Sequence, residues 1–503
     1  MSSIKKNIIA NYLGRTWSAI LGIILIPVYI KFLGVESYGL VGFYATLSSV
    51  LGILDLGIGS TINRELARRS FNNNDTTQRD LVRSLEIIYW IIAIISGIIL
   101  FFCASYLTQN WIKATSLSKS TVATTIKLMG IGIAIQFPAS LYSGALMGLG
   151  RQVLLNNILL ITGSIKGFGA ILILWIISPT IESFFIWQGI ISISTTAILC
   201  LYVWKSLPKS LFPAKFSKSI IKEIWKYAAA ISINSLIGVF LSQLDKIVLS
   251  KLLPLSDFAY YSIASTIGSI IWLIQIPINN AIFPHFVQFN ENNEKIKSIN
   301  LFHKSSQVLF FILIPVASIL IFFSGPILFI WLKNDEIVEH SHLLVSLIVF
   351  GLLLNALASI PSSCANAFGW PQLITYTNTI QAIIIAPLMF IFIHFFKLNG
   401  AAIVYIIMNC TYVFFLAPRL INRHLKGQLI NWILFDICIP MLISFSLCIF
   451  SMAIMPNFKS VYHNIIWILS TGIITMICTG LSLTIVRNSF ISFLKKYYTK
   501  AST

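Results

Sequence analysis

Four cations stand inside long apolar runs of this sequence: Arg15, Lys127, Lys166 and Lys246. A Lys or Arg held at mid-bilayer costs about 2.5–3.5 kcal/mol, so such residues usually face a partner or a wet cavity. Lys166 is the deepest, near the middle of "TGSIKGFGA". Gly163, Gly167 and Gly169 around it allow close packing or a local break. Its ammonium group either faces a cargo or is satisfied by helix carbonyls. Arg15 sits about a turn and a half inside the first apolar run. Its guanidinium offers two parallel hydrogen bonds to an oxyanion, or it snorkels to the headgroups. Lys127 lies in the outer third of the fourth run, where snorkelling outward is easy.

Two acidic stretches accompany them. In "LDLGIGSTINRELARR" (54–69), Asp55 is about two turns deep and Arg64 is at the cytoplasmic edge. Gly57 and Gly59 between them suit a hinge. Asp55 is a candidate partner of Arg15, a protonation site or half of a structural ion pair. Arg64, Arg68 and Arg69 read mainly as topology determinants, with Arg64 best placed for gating. In "SQLDKIVLSK", Asp245 and Lys246 lie about one turn from the outer end of the seventh run. Neighbouring helix positions do not face each other, so the two do not pair directly. They snorkel or pair across helices at the rim, form an outer gate, or place Asp245 in ion coupling.

The elements that must position these residues are transmembrane helices. The 503 residues are 57% hydrophobic and only 10% charged, whereas a soluble domain carries about 25% charged residues. The apolar runs show no two-residue alternation, which excludes an outer-membrane barrel. They fall at 9–31, 38–62, 84–108, 121–148, 153–177, 182–204, 227–249, 258–282, 306–331, 342–366, 372–395, 400–418, 431–455 and 462–486. That predicts an all-α polytopic membrane protein of about 14 transmembrane helices.

With the N-terminus inside, the inner loops hold about two-thirds of the 35 Lys and Arg residues and the outer loops about a fifth. A miscounted span would spoil this bias, so both termini are expected in the cytoplasm. The net charge of +19 is then topological, and no nucleic-acid partner is implied. The seven cysteines all lie in apolar runs without metal or disulfide spacing. No phosphate-binding GxxxxGK[ST] loop is present. Neither a catalytic residue nor a metal site is indicated.

The sequence also repeats. At an offset of 220 residues, Lys31 falls on Lys251 and Tyr38 on Phe258; at 219, Ala139, Ser140, Ser143 and Gly150 fall on Ala358, Ser359, Ser362 and Gly369. Two six-helix halves of the same orientation follow, at 1–210 and 211–425, with a cavity between them. Two extra helices and a basic tail occupy 426–503.

The run "NYLGRTWSAILGIILIPVYIKFLGVESYGLVGFYATLSSVLGILDLGIGSTINRELAR", the segment "LDKIVLSKLLPLSDFAYYSIAS" and the "GALMGLGR" ending of the fourth span carry a resemblance. The chain resembles the Wzx-type O-antigen flippases of the polysaccharide-transporter branch of the MOP (MATE-like) superfamily. Many Wzx-type proteins have twelve spans. Fourteen is a departure that leaves open teichoic-acid, exopolysaccharide and lipid II flippases of the same fold. The resemblance implies alternating access between two halves in the bacterial inner membrane. It implies transfer of undecaprenyl-diphosphate-linked oligosaccharide from the cytoplasmic to the outer leaflet. Polysaccharide polymerase and glycosyltransferases are the partners it suggests.

Such a cargo has an anionic diphosphate, a polar sugar head and an apolar tail that can stay in lipid. Arg15, Lys166, Lys127 and Arg64 are then the expected cationic cavity; Asp55, Asp245 and Lys246 are expected to gate or couple ions. No cofactor is expected beyond possible H⁺ or Na⁺ coupling. An ion-coupled multidrug exporter is the rival within the fold, but the deep cations outnumber the deep acids. A membrane enzyme is the rival outside it, yet the most acidic outer loop, "LKNDEIVEH" (332–340), holds no catalytic constellation.

Overall fold

The computed structural model describes residues 14, 16–55, 57–71, 75–210, 212–456, 461–488 and 492, with backbone alone at 70–71, 75–76 and 225–235. The described chain is helical almost throughout. Contacts divide it into two compact units, Met1–Ala259 and Tyr260–Thr503.

The first unit runs α1 (Thr16–Leu33) and α2 (Val35–Leu51), then a 3₁₀ turn at Gly52–Asp55 and α3 (Ile58–Phe71). It continues with α4 (Asp75–Asn110), α5 (Lys119–Gly148), α6 (Gln152–Leu172), α7 (Ile181–Ser206) and α8 (Lys218–Leu252). The helix α4 has 36 residues, about 54 Å at 1.5 Å per residue, longer than the roughly 30 Å hydrocarbon layer. Its apolar part therefore spans and its polar start projects.

The second helical run ends earlier than its hydropathy suggests. Gly57 has φ 65°, a conformation that L side chains disfavour, and the 3₁₀ turn precedes it. The expected span 38–62 is thus split, and α3 is a separate helix.

The centre of this unit is α5, which packs on α3, α4, α6 and α7. Leu141, Tyr142, Ala145 and Leu146 of α5 are buried against Ile62 and Leu66 of α3 and Leu85 and Tyr89 of α4. Small residues let these helices approach, as transmembrane packing requires. A Cβ on Gly148 would come within 2.6 Å of the Asn63 carbonyl oxygen.

The tight hairpin at 178–180 is closed by a π turn over Ile173–Ile177, after which the Thr180 hydroxyl accepts the Ser183 N–H to start α7. The C-terminal end of α8 is tied to the segment after α4. Trp111 Nε1 donates to Ser250 Oγ at 3.0 Å, Lys113 Nζ to the Leu252 carbonyl at 2.7 Å, and Leu255 N to the Lys113 carbonyl at 2.9 Å.

The next helix, α9 (Leu255–Gly268), crosses the boundary between the units. The second unit then holds α10 (Ile270–Glu291), α11 (Lys295–Phe322), α12 (Ser324–Leu332), α13 (Asp335–Leu357), α14 (Ser359–Ala367) and α15 (Gln372–Thr411). It ends with α16 (Ala417–His424), α17 (Leu429–Ala453) and α18 (Val461–Ser482). Within α15 the backbone breaks at Lys397 (φ 49°, ψ −126°), where the loop between the expected spans 372–395 and 400–418 falls.

Among the described residues, twelve helices are long and apolar enough to cross a membrane. The break in α15 and the 35-residue α8 make the fold compatible with fourteen crossings.

The repeat is visible in local backbone. Gly150 and Gly369 both take positive φ, 71° and 73°. Gly150 N bonds to Met147 O and Arg151 N to Leu146 O; Gly369 N bonds to Asn366 O and Trp370 N to Ala365 O. The two helix ends are the same left-handed cap.

Candidate functional site: a polar cavity around Lys166

The glycines of "TGSIKGFGA" do not break α6. A Cβ on Gly167 would overlap Leu25 of α1, and one on Gly169 would overlap the Trp187 ring of α7. Gly163 has nothing within 4 Å of such an atom and lies in the wall of a cavity. Two glycines thus bring neighbouring helices close, and the third leaves space beside Lys166.

Lys166 lines two cavities of the first unit. One, about 250 Å³, lies among α1, α2, α6 and α7, with Tyr29, Tyr44 and Gln188 in its wall. The other, about 410 Å³, lies among α5, α6 and α7 and is rich in Ser and Thr. Gly163 and Ser18 belong to both. Among the described residues no hydrogen bond or ion pair engages the Lys166 ammonium group. A half-buried cation without a partner among the described residues, beside space for a ligand, is chemically suited to an anion.

Asp55 meets this region through α5. Tyr89 Oη donates to Asp55 Oδ1 at 2.5 Å, Ser140 Oγ donates to the same oxygen at 2.8 Å, and Gly59 N donates to Oδ2 at 3.3 Å. Ser140 is itself in the wall of the larger cavity. Lys166 and Ser140 thus share the wall of the larger cavity, and Asp55 lies behind Ser140 without lining either cavity.

The remaining expected residues lie apart from these cavities. The Lys127 ammonium sits 5.0 Å from the ring centroid of Phe101, a cation–π contact on an exposed aromatic face, and Lys127 lines neither Lys166 cavity. Arg64 is half exposed and lies 3.9 Å from Glu65. Asp245 is buried in α8, with Lys246 half-buried beside it; neither lines the Lys166 cavities. Arg15 lies outside the described residues.

Several acidic groups escaped the sequence reading. Glu86 is buried and accepts from Tyr142 Oη at 2.6 Å, Trp204 Nε1 at 3.3 Å and Arg83 Nη1 at 2.8 Å. It joins α4, α5 and α7. Its signal was an Arg three residues earlier at the polar end of a span. At the base of the same unit, Arg68 reaches Glu65 at 2.7 Å and Glu223 at 2.5 Å, and Arg69 reaches Glu223 at 3.3 Å. This network ties α3 to α8. In the second unit, His303 Nδ1 lies 2.6 Å from Asp436 Oδ2, and Gln307 Nε2 donates to Asp436 Oδ1 at 2.8 Å.

Comparison with known proteins agrees with this architecture. Residues 4–290 match the family described as "Polysaccharide biosynthesis protein", and residues 230–391 match the family MatE. A Shigella flexneri protein named "Putative O-antigen transporter" is 24% identical over 405 residues, covering 80% of this chain and 94% of its own.

Among solved structures, a lipid II flippase, MurJ, in an inward closed conformation superposes with TM-score 0.67 at 16% identity, covering 95% of this chain and 99% of its own. A multidrug resistance MATE family transporter of the MOP superfamily, inward-facing, gives TM-score 0.65 at 15% identity over 81% of this chain and 96% of its own. At such identities these two show the fold. The twelve long apolar helices and the matched family fit a multi-pass membrane protein of a transporter family. The chain belongs to the family described as "Polysaccharide biosynthesis protein".

Proposed function

We propose that this protein carries undecaprenyl-diphosphate-linked oligosaccharide, an O-antigen repeat unit or a related polysaccharide unit, from the cytoplasmic to the outer leaflet of the bacterial inner membrane. The termini are on the cytoplasmic side in this reading, and the two halves alternate in access. The observation that carries it is the Lys166 ammonium group, unpartnered among the described residues and set between two cavities with hydroxyl-lined walls. An isolated cation attracts the diphosphate, while the hydroxyls take the place of water around the sugars. The polyprenyl tail needs no protein cavity, because it stays in lipid.

Asp55 supports a second reading. A carboxylate beside a polar cavity is what an ion-coupled multidrug exporter of the superfamily would use, and the MatE match covers part of the chain. In the lipid-flipping reading the same carboxylate supplies H⁺ or Na⁺ coupling. Lipid II and teichoic-acid precursors are alternative cargoes with the same diphosphate or phosphate linkage.

The test is flipping by purified protein in liposomes that carry the lipid-linked oligosaccharide in one leaflet. Exposure is followed with an external sugar-modifying enzyme. Wild type is expected to flip, and Lys166→Gln to flip at least tenfold more slowly while remaining folded. A wild type that moves no lipid but expels a cationic dye under an ion gradient would establish the exporter instead.

A further inference from the structure

The cavity wall is rich in hydroxyls, but their protons are already committed. Ser18, Ser143, Thr162, Ser192 and Thr195 each donate to the carbonyl four residues earlier in their own helix, at 2.7–3.0 Å. Thr196 Oγ1 donates to the Ile135 carbonyl at 2.9 Å, and Ser140 Oγ to Asp55. In the smaller cavity, Tyr29 Oη donates to the Gly167 carbonyl at 3.0 Å and Tyr44 Oη to Gln136 Oε1 at 3.2 Å. A hydroxyl has one proton and two lone pairs. With the proton spent, each presents only lone pairs to whatever enters. Every hydroxyl lining the two cavities among the described residues is in this state. Side-chain donors left to a ligand there are the Lys166 ammonium and the amides of Gln136 and Gln188.

An acceptor-lined cavity selects a donor-rich ligand. We infer that the sugar head accepted here is uncharged, built of hexose or N-acetylhexosamine units that offer O–H and N–H groups, and not one bearing uronic acids or phosphate on its sugars. This inference rests on the lipid-flipping function proposed above and specifies its substrate class. A carboxylate on the sugar would meet lone pairs across most of the wall, and Asp55 behind Ser140 adds a like charge. Among the described residues the one cation in the wall is Lys166, and the diphosphate engages it. A site whose polar groups are left facing like groups rejects a ligand strongly, because those groups lose water and gain no bond.

Two probes of equal length decide it: undecaprenyl diphosphate bearing a neutral trisaccharide, and the same lipid with its terminal hexose replaced by the corresponding hexuronic acid. Each is presented to the full chain in liposomes, with flipping rate and binding read in parallel. The neutral cargo is expected to be favoured at least tenfold. Thr195→Arg, which adds a donor cation to the wall, is expected to cut that preference at least threefold. Thr195→Val, which removes an acceptor and adds none, is expected to weaken the neutral cargo and leave the uronate unchanged. Equal handling of the two cargoes by wild type, or preference for the uronate, overturns the inference and leaves the proposed function standing. Failure to move either cargo overturns the function, and the inference with it.

Discussion

Ser140 Oγ and Asp55 Oδ1 are 2.8 Å apart, and Tyr89 Oη reaches the same carboxylate oxygen from α4 at 2.5 Å. One carboxylate therefore joins the 3₁₀ turn after α2 to α4 and to the cavity wall of α5. Tyr89 is fully buried, so its hydroxyl depends on this acceptor. Asp55→Asn keeps an acceptor oxygen and is expected to cost about 1–2 kcal/mol of stability. Asp55→Leu orphans the buried tyrosine hydroxyl and is expected to cost about 1–3 kcal/mol more. Adding Tyr89→Phe to Asp55→Leu should restore part of that loss. Thermal unfolding in detergent measures all three, and a double variant no better than Asp55→Leu alone would refute the dependence.

The space beside Lys166 gives a cleaner separation of function from stability. A side chain at Gly163 meets nothing within 4 Å at its Cβ, so Gly163→Leu is expected to fold normally while projecting into the space beside Lys166. Its flipping rate should fall at least tenfold. Gly167→Ala is the opposite case, since its Cβ would overlap Leu25. Overpacking of that kind costs about 1–3 kcal/mol. Comparing flipping rates and melting temperatures of the two variants checks the assignment. Normal transport by Gly163→Leu would place the cargo path elsewhere.

Lys166 was legible in the sequence because hydrocarbon makes any buried charge expensive, so its presence alone demands a reason. The spans were legible for the related reason that the bilayer fixes their length. The break after α2 was partly legible, since Gly57 could be seen but not the 3₁₀ turn before it. Lys127 shows where this logic stops. Ser, Thr and apolar residues are mixed around a transmembrane helix, so hydropathy does not say whether a cation joins the cavity side or the lipid side. Lys127 faces Phe101. The partners of Glu86 and Asp436 were hidden differently. His303 and Asp436 are 133 residues apart, and only the packing of α11 against the start of α17 brings them together.

The network at the base of α3 should make stability depend on acid pH. Arg68 bonds to Glu223 and holds its carboxyl below the usual carboxylate range, while Glu223 raises the Arg68 guanidinium. A depressed folded-state pKa stabilises the protein above the unfolded value, about 4.3 for Glu. That contribution is lost as pH falls through the lower folded value. The Glu223 side chain is 51% exposed, so the effect is that of a solvent-screened pair, about 0–1 kcal/mol. Glu223→Gln is expected to lower the melting temperature slightly at pH 6 and to match wild type near pH 3. Added salt should shrink the difference at pH 6. A gap that persists unchanged at pH 3 would assign the loss to packing.

His303 and Asp436 anchor the last helices of the second unit. The Asp436 side chain is 1% exposed and accepts two hydrogen bonds, from His303 Nδ1 at 2.6 Å and from Gln307 Nε2 at 2.8 Å. Gln307 in turn accepts the Ile485 N–H at 2.8 Å through Oε1, so one cluster fixes α17 and the segment after α18 to α11. Removing one partner of a buried hydrogen-bonded pair costs about 1–3 kcal/mol, because the other is left unsatisfied. Asp436→Leu is expected to lose that much, and Gln307→Leu less, since it leaves the His303–Asp436 contact in place. Hydrogen exchange should locate the change. Faster exchange in Leu429–Ala453 and Val461–Ser482, with the first unit unaffected, is the expected pattern. Uniform acceleration through the whole chain would show that these helices unfold only with the rest.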